Sequence, residues 1–168
     1  MTDLIKYGLA GILILFFQLF LFNDLELFGI ATPFVFLTFL IMLPVNSPFP
    51  LQLALAFVIG LVMDLAAGPP ALGLHAFSCV LLIGARHLLL PLITPTQVRS
   101  VEDIQMGNQT FIWYIGLFLP LIFLHHLAYF FLEDFSFRFF FSTFWKVISS
   151  TIYTFLVSML LVQLFYRK

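Results

Sequence analysis

Gly60-Leu-Val-Met-Asp64-Leu-Ala-Ala-Gly68-Pro-Pro-Ala-Leu-Gly73-Leu-His75-Ala-Phe77 is the stretch that decides how this chain folds. It joins two long apolar runs through a turn of Gly and Pro, residues that punctuate helices rather than continue them. Asp64 is the only charged residue between Glu26 and Arg86. A carboxylate in the middle of a lipid-facing helix costs about 2.5–3.5 kcal/mol, so Asp64 is expected to face protein or water. Four-residue steps backward from Gly68 meet Asp64, Gly60, Ala56 and Gln52. That places one small and polar stripe along the helix, the kind of face that lets helices approach one another in a membrane.

The rest of the chain has the same character. Its 168 residues are 62% hydrophobic and 9% charged, with a mean hydropathy of +1.13. Soluble domains carry about 25% charge, so there is too little polar surface here to coat a water-soluble globule. The composition predicts an integral membrane protein built as a single domain over residues 1–168. The net charge of −1 offers no basic field for nucleic acid, and the single cysteine, Cys79, excludes an internal disulfide framework.

Apolar runs of about 20 residues mark membrane helices. The spans read as Leu4–Phe22, Phe28–Leu43, Leu51–Ala67, Leu72–Leu92, Phe111–Phe131 and Val147–Tyr166. They lack the alternation of barrel strands, which predicts an all-α bundle of about six transmembrane helices. The first run is longer than the roughly 7–15 residues of a signal-peptide core and is expected to stay uncleaved. Span two is short and carries Pro33 near its start, so it is expected to be tilted or broken. Lys6, Arg99, Arg167 and Lys168 fall on one side, with Arg86 near the end of span four, while Arg138 and Lys146 share the other side with Asp24, Glu26, Glu133 and Asp134. This bias predicts cytoplasmic termini. The 93–110 link is the one sizeable polar stretch and is expected to be cytoplasmic.

Two further stripes accompany the one in span three: Lys146, Ser150, Thr154 and Ser158 in span six, and Gly8, Gly11 and Gln18 in span one. All three fit either bundle packing or a partner interface. The segment from Phe130 to Trp145 sets eight Phe and a Trp around three charges, which suits an interfacial anchor or a docking strip. Asp64 and His75 fall at similar depth, so a hydrogen bond between them is expected. Arg86 lies far deeper than Asp64 and is expected, with His87, to reach toward the headgroups.

Little in the chain points to catalysis. His125 and His126 are adjacent, so on a helix they point about 100° apart and do not chelate one ion as an i, i+4 pair would. Glu133 lies eight residues beyond His125. No zinc-protease, nucleophile-elbow, phosphate-loop or dinucleotide motif occurs. A lone intramembrane Asp without a charged neighbour is weak support for a proton relay. No catalytic, cofactor or metal residues are assigned, and the chain is not expected to be an enzyme.

The block Gly60-Leu-x-x-Asp64-Leu-x-x-Gly68-x-Pro70-x-x-Gly73-Leu-His75-Ala resembles the signature of the MreD family of rod shape-determining membrane proteins. Arg86 after the span-four apolar run fits, as do Pro33 and Pro44 at the ends of span two. His125-His126, Leu132-Glu133-x-Phe-Ser-Phe and Ser149-Ser-Thr-x-x-Thr154 look like one branch of that family. The likeness covers most of the chain. It implies a six-helix fold similar to the substrate-capturing subunits of vitamin transporters. It also implies a non-catalytic subunit of the bacterial cell-elongation machinery in the cytoplasmic membrane. The partners implied are an MreC-type single-span coiled-coil protein, the peptidoglycan glycosyltransferase and transpeptidase, and, indirectly, an actin-like filament protein. The structural or interaction candidates are then Gly60, Asp64, Gly68, Gly73, His75, Arg86, His125 and Glu133. The alternative is a substrate-binding subunit of a small-molecule transporter, which needs a polar pocket that solvent can reach.

Overall fold

The computed structural model describes residues 2–23, 25–67, 72–93, 109–134 and 140–166. Within them the chain is an all-α bundle. Helix α1 (Thr2–Phe17) widens into a π turn at Gln18–Phe22; α2 is Leu37–Ile41; α3 is Phe49–Ala67; α4 is Leu74–Ile93; α5 is Phe111–Asp134; α6 is Phe140–Leu161, with a closing π turn at Val162–Tyr166. Among the described residues four helices, α3 to α6, are long and apolar enough to cross a membrane. Each presents large exposed apolar side chains outward, among them Val58, Leu88, Ile112 and Leu156. In water such a surface is a liability; against acyl chains it is the expected exterior. Gly68 and the charges Asp24, Arg99, Arg138, Arg167 and Lys168 lie outside the described residues, as does most of the 93–110 link.

Span two departs from the simple expectation. It is not a membrane-length helix: only the five residues of α2 are α-helical. Pro33 explains the upper half, because it has no N–H to give and pushes the residue before it into extended backbone. Pro44 stops α2 in the same way. Between them the chain threads the bundle, with every residue from Pro33 to Leu43 buried except the partly buried Phe39. Thr32 lies against Ser150 and Thr38 against Ser158, so this stretch descends along about 12 Å of α6 at 1.5 Å per residue. Phe34, Phe36, Leu37, Leu40 and Ile41 join Met63, Leu82, Phe118 and Phe130 in one apolar core. The expected tilt or break is thus a break, and the broken span forms the centre of the fold.

The chain reaches this segment through a tight turn. Leu27 and Ala31 pair across it, and Phe28 and Gly29 have φ of 55° and 66°. A left-handed Phe is costly for an L-residue, yet its ring is 90% exposed.

Candidate functional site

Two joints carry most of the buried polar chemistry. At one end of the bundle α3 turns into α4. Gly73 occupies the residue before α4 with φ of 98°, a conformation natural for glycine. Having no side chain, it cannot cap the helix. Asp64 does so from α3: Oδ1 accepts from the His75 amide at 2.9 Å, and Oδ2 accepts from the Gly73 and Ala76 amides at 2.9 and 3.2 Å. A carboxyl group is well placed here because the first N–H groups of a helix have no partner within it and form its positive end. The expected Asp64–His75 bond therefore exists, but it goes to the backbone amide and not to the ring. One turn down α3, Gly60 lets the helices touch. A Cβ at Gly60 would lie 2.4 Å from Ala76 Cα and 2.6 Å from Ala76 N. Gln52, Ala56, Gly60 and Asp64 are all buried.

The second joint serves the broken span. A non-helical backbone at membrane depth survives only where protein satisfies its polar groups, since each orphan costs several kcal/mol. Four side chains from other helices do most of this. Gln18 of the α1 π turn donates to Pro33 O at 3.1 Å and accepts from Val35 N and Phe36 N at 2.6 and 3.3 Å. Ser150 accepts from Thr32 N and Thr154 from Phe34 N, each at 3.0 Å. The Thr154 hydroxyl also lies 3.3 Å from His126 Nε2, while His126 Nδ1 lies 2.8 Å from Ile122 O. That carbonyl only accepts, so Nδ1 carries a proton. Lower down, Thr38 donates to Ser158 at 2.8 Å. Gln18 of the span-one stripe and Ser150, Thr154 and Ser158 of the span-six stripe are thus hydrogen-bond partners for span two, while Lys146 bonds Glu133.

Arg86 completes this joint and corrects an expectation. It does not reach toward the headgroups; it is 1% exposed. Nε donates to Ile41 O and Nη1 to Gln52 Oε1, both at 2.8 Å, and Nη2 donates to Leu43 O. Gln52 passes the link on to Ser47 O at 2.8 Å. The physical reason is the shortness of α2, whose end leaves carbonyls without donors. A guanidinium supplies several donors in a fixed fork. His87, by contrast, is exposed and lies against Phe49 with ring centroids 4.5 Å apart.

Near the Asp64 end lies a cluster of rings. His75 and Tyr129 stack at 4.2 Å, and His75 and His125 at 6.0 Å. Phe34 stands edge-on to all three, at 4.9, 5.1 and 5.6 Å from His75, Tyr129 and His125, and stacks on His126 at 5.0 Å. His125 Nε2 lies 3.6 Å from Cys79 Sγ. Among the described residues nothing partners His75 Nδ1, His125 Nδ1, Ser78 Oγ or Thr151 Oγ1. Orphaned buried polar atoms cost about 1–3 kcal/mol each. Tyr129 donates to Glu133 at 3.2 Å, and Glu133 pairs with Lys146 at 3.2 Å. Lys146 also lies over the Phe130 ring. Among the described residues no three His, Cys, Asp or Glu side chains gather as a metal ion would require.

The structure therefore brings Gly60, Asp64, Gly73 and His75 into one joint, carries the His75 ring on to His125, and links Glu133 to the same cluster through Tyr129. Arg86 belongs to the other joint. Sequence reasoning gave no role to Phe34 or Tyr129 and did not connect Gln18, Ser150, Thr154 and Ser158 to span two. The available signal was Pro33 and Pro44 within a short span, which implies backbone groups seeking donors and acceptors elsewhere. No protein-family model, curated protein or solved structure matches the chain.

Proposed function

We propose that this chain is a non-catalytic membrane subunit of the bacterial cell-elongation machinery, of the MreD type. It crosses the cytoplasmic membrane six times, counting α1 and the broken span, in an arrangement similar to the substrate-capturing subunits of vitamin transporters, with both termini in the cytoplasm. It acts by holding an MreC-type single-span partner and the peptidoglycan glycosyltransferase and transpeptidase, with the actin-like filament protein attached indirectly. The observation that supports this most is what the signature-like block does. Gly60, Asp64 and Gly73 are spent on one helix–helix joint. These residues shape a scaffold, which leaves the exposed helix faces to meet partners. A partner whose two conformations bind those faces unequally would also be biased by them.

The test is co-purification of the tagged protein from its own membranes in mild detergent, with mass spectrometry of proteins and small molecules. Recovery of a single-span coiled-coil protein with wall synthases is the expected result. Recovery of an ATPase with a coupling subunit, or of a stoichiometric small molecule, would replace it with the transport reading. The orphaned nitrogens of His75 and His125 favour that second reading, which requires the cluster to open to water.

A further inference from the structure

We infer that residues 31–36 form a retractable plug, and that its withdrawal opens the compartment around His75, Cys79 and His125 to water. This goes beyond the scaffold reading and stands without it. Four observations carry it. First, the plug has no helix of its own: the amides of Thr32, Phe34, Val35 and Phe36 are held by Ser150, Thr154 and Gln18. Such bonds can be exchanged one at a time for bonds to water, without unwinding any of the long helices. Second, Phe34 is the part of the plug that fills the compartment, with its ring against those of His75, His125, His126, Tyr129 and Phe130.

Third, the closed arrangement leaves His75 Nδ1 and His125 Nδ1 without partners among the described residues. Entering water would satisfy both, so the closed state carries a penalty that opening removes. Fourth, the approach to the plug is built to move. Residues 25–30 are exposed throughout, so nothing described in the bundle covers them. Phe28 holds left-handed backbone, which is costly for a bulky residue, and at 90% exposed it has no packing around it to keep it there. The other end of the plug is fixed where α2 begins, because Leu37, Thr38, Leu40 and Ile41 are buried. The plug is thus tethered below and loose above.

Cys79 is the sole cysteine, is buried, and lies 3.6 Å from His125, which makes it a native reporter for water entry. The experiment measures its reaction with a charged, membrane-impermeant methanethiosulfonate in the full-length protein in lipid vesicles, read at the Cys79 peptide by mass spectrometry. Thr32→Cys combined with Ser150→Cys puts one thiol on each of two residues that already touch, the Thr32 amide lying 3.0 Å from Ser150 Oγ. Oxidation then locks the plug shut. Labelling of Cys79 is expected to fall about tenfold or more on locking, as the open population is withdrawn, and to recover on reduction. Thr154→Val, which removes the Phe34 tether, is expected to speed it. Equal rates in the locked and reduced protein would overturn the plug, because water would then arrive by another route. So would a Cys79 that never reacts in the folded wild type. If Thr154→Val does not fold, the locked pair still decides.

Discussion

The α3–α4 joint and the broken second span solve the same problem, an unpaired backbone in an apolar medium, by opposite means. The joint draws every part from between Gly60 and Ala76: one glycine for close approach, one for a left-handed turn, and one carboxyl group for three amides. The broken span draws its partners from Gln18, Arg86, Ser150, Thr154 and Ser158, with contacts that reach 120 residues along the chain. A local joint concentrates its stability in a few residues that nothing can replace. A dispersed one spreads it over many modest hydrogen bonds. If so, substitutions in the first should be severe and those in the second graded.

Gly60→Ala is the sharpest break of that contrast. Its Cβ would meet the Ala76 backbone at 2.4 Å, and a backbone cannot rotate aside as a flexible side chain can. The expected loss is about 3 kcal/mol, at the top of the overpacking range. It would be read from the midpoint of helix loss in a detergent–denaturant titration. A variant with unchanged stability would mean that α3 and α4 do not approach as described. Gly60→Leu should abolish the folded protein.

Asp64 tests the same joint more gently. Asp64→Leu leaves the buried amides of His75 and Ala76 without their acceptor, while the part-exposed Gly73 amide can turn to water; at about 1 kcal/mol for each buried amide the expected loss is about 2 kcal/mol. Asp64→Asn keeps one acceptor oxygen but turns an NH2 group toward the other amides, so it should lose about 1 kcal/mol. Equal losses would show that the carboxyl group is not acting as a helix cap.

This contrast also explains what was legible in the sequence. The four long helices could be read because a membrane demands some 20 apolar residues in a row. The joint could be read because its parts are neighbours, and Asp64 stands out in an apolar run. The identity of its partner atoms was less accessible, because depth pairs Asp64 with His75 but does not distinguish ring from amide. The broken span was legible only as a short run with prolines. Its partners lie on three other helices, and a Ser/Thr stripe looks alike whether it packs helices or holds a backbone. Arg86 was misplaced for the same reason: its position along α4 points to the headgroups, while the free carbonyls that attract it belong to a different helix.

The smallest expected effect belongs to the dispersed joint. Ser158→Ala removes the acceptor of the Thr38 hydroxyl. Interhelical hydrogen bonds in membranes are worth about 0.6 kcal/mol on average. Thr38 also has an alternative, since a threonine within a helical turn can donate back to a carbonyl of the preceding turn. Ser158→Ala is therefore expected to lose about 0.5 kcal/mol, close to the limit of a titration. The informative comparison is with Thr154→Val, where Phe34 N loses its acceptor and His126 Nε2 its hydroxyl partner. The Phe34 amide cannot turn to a neighbour as a hydroxyl does, so Thr154→Val should cost more than Ser158→Ala. If the two are equal, the backbone of the broken span has another source of partners, and the plug above α2 is held by Phe34 packing and not by hydrogen bonds.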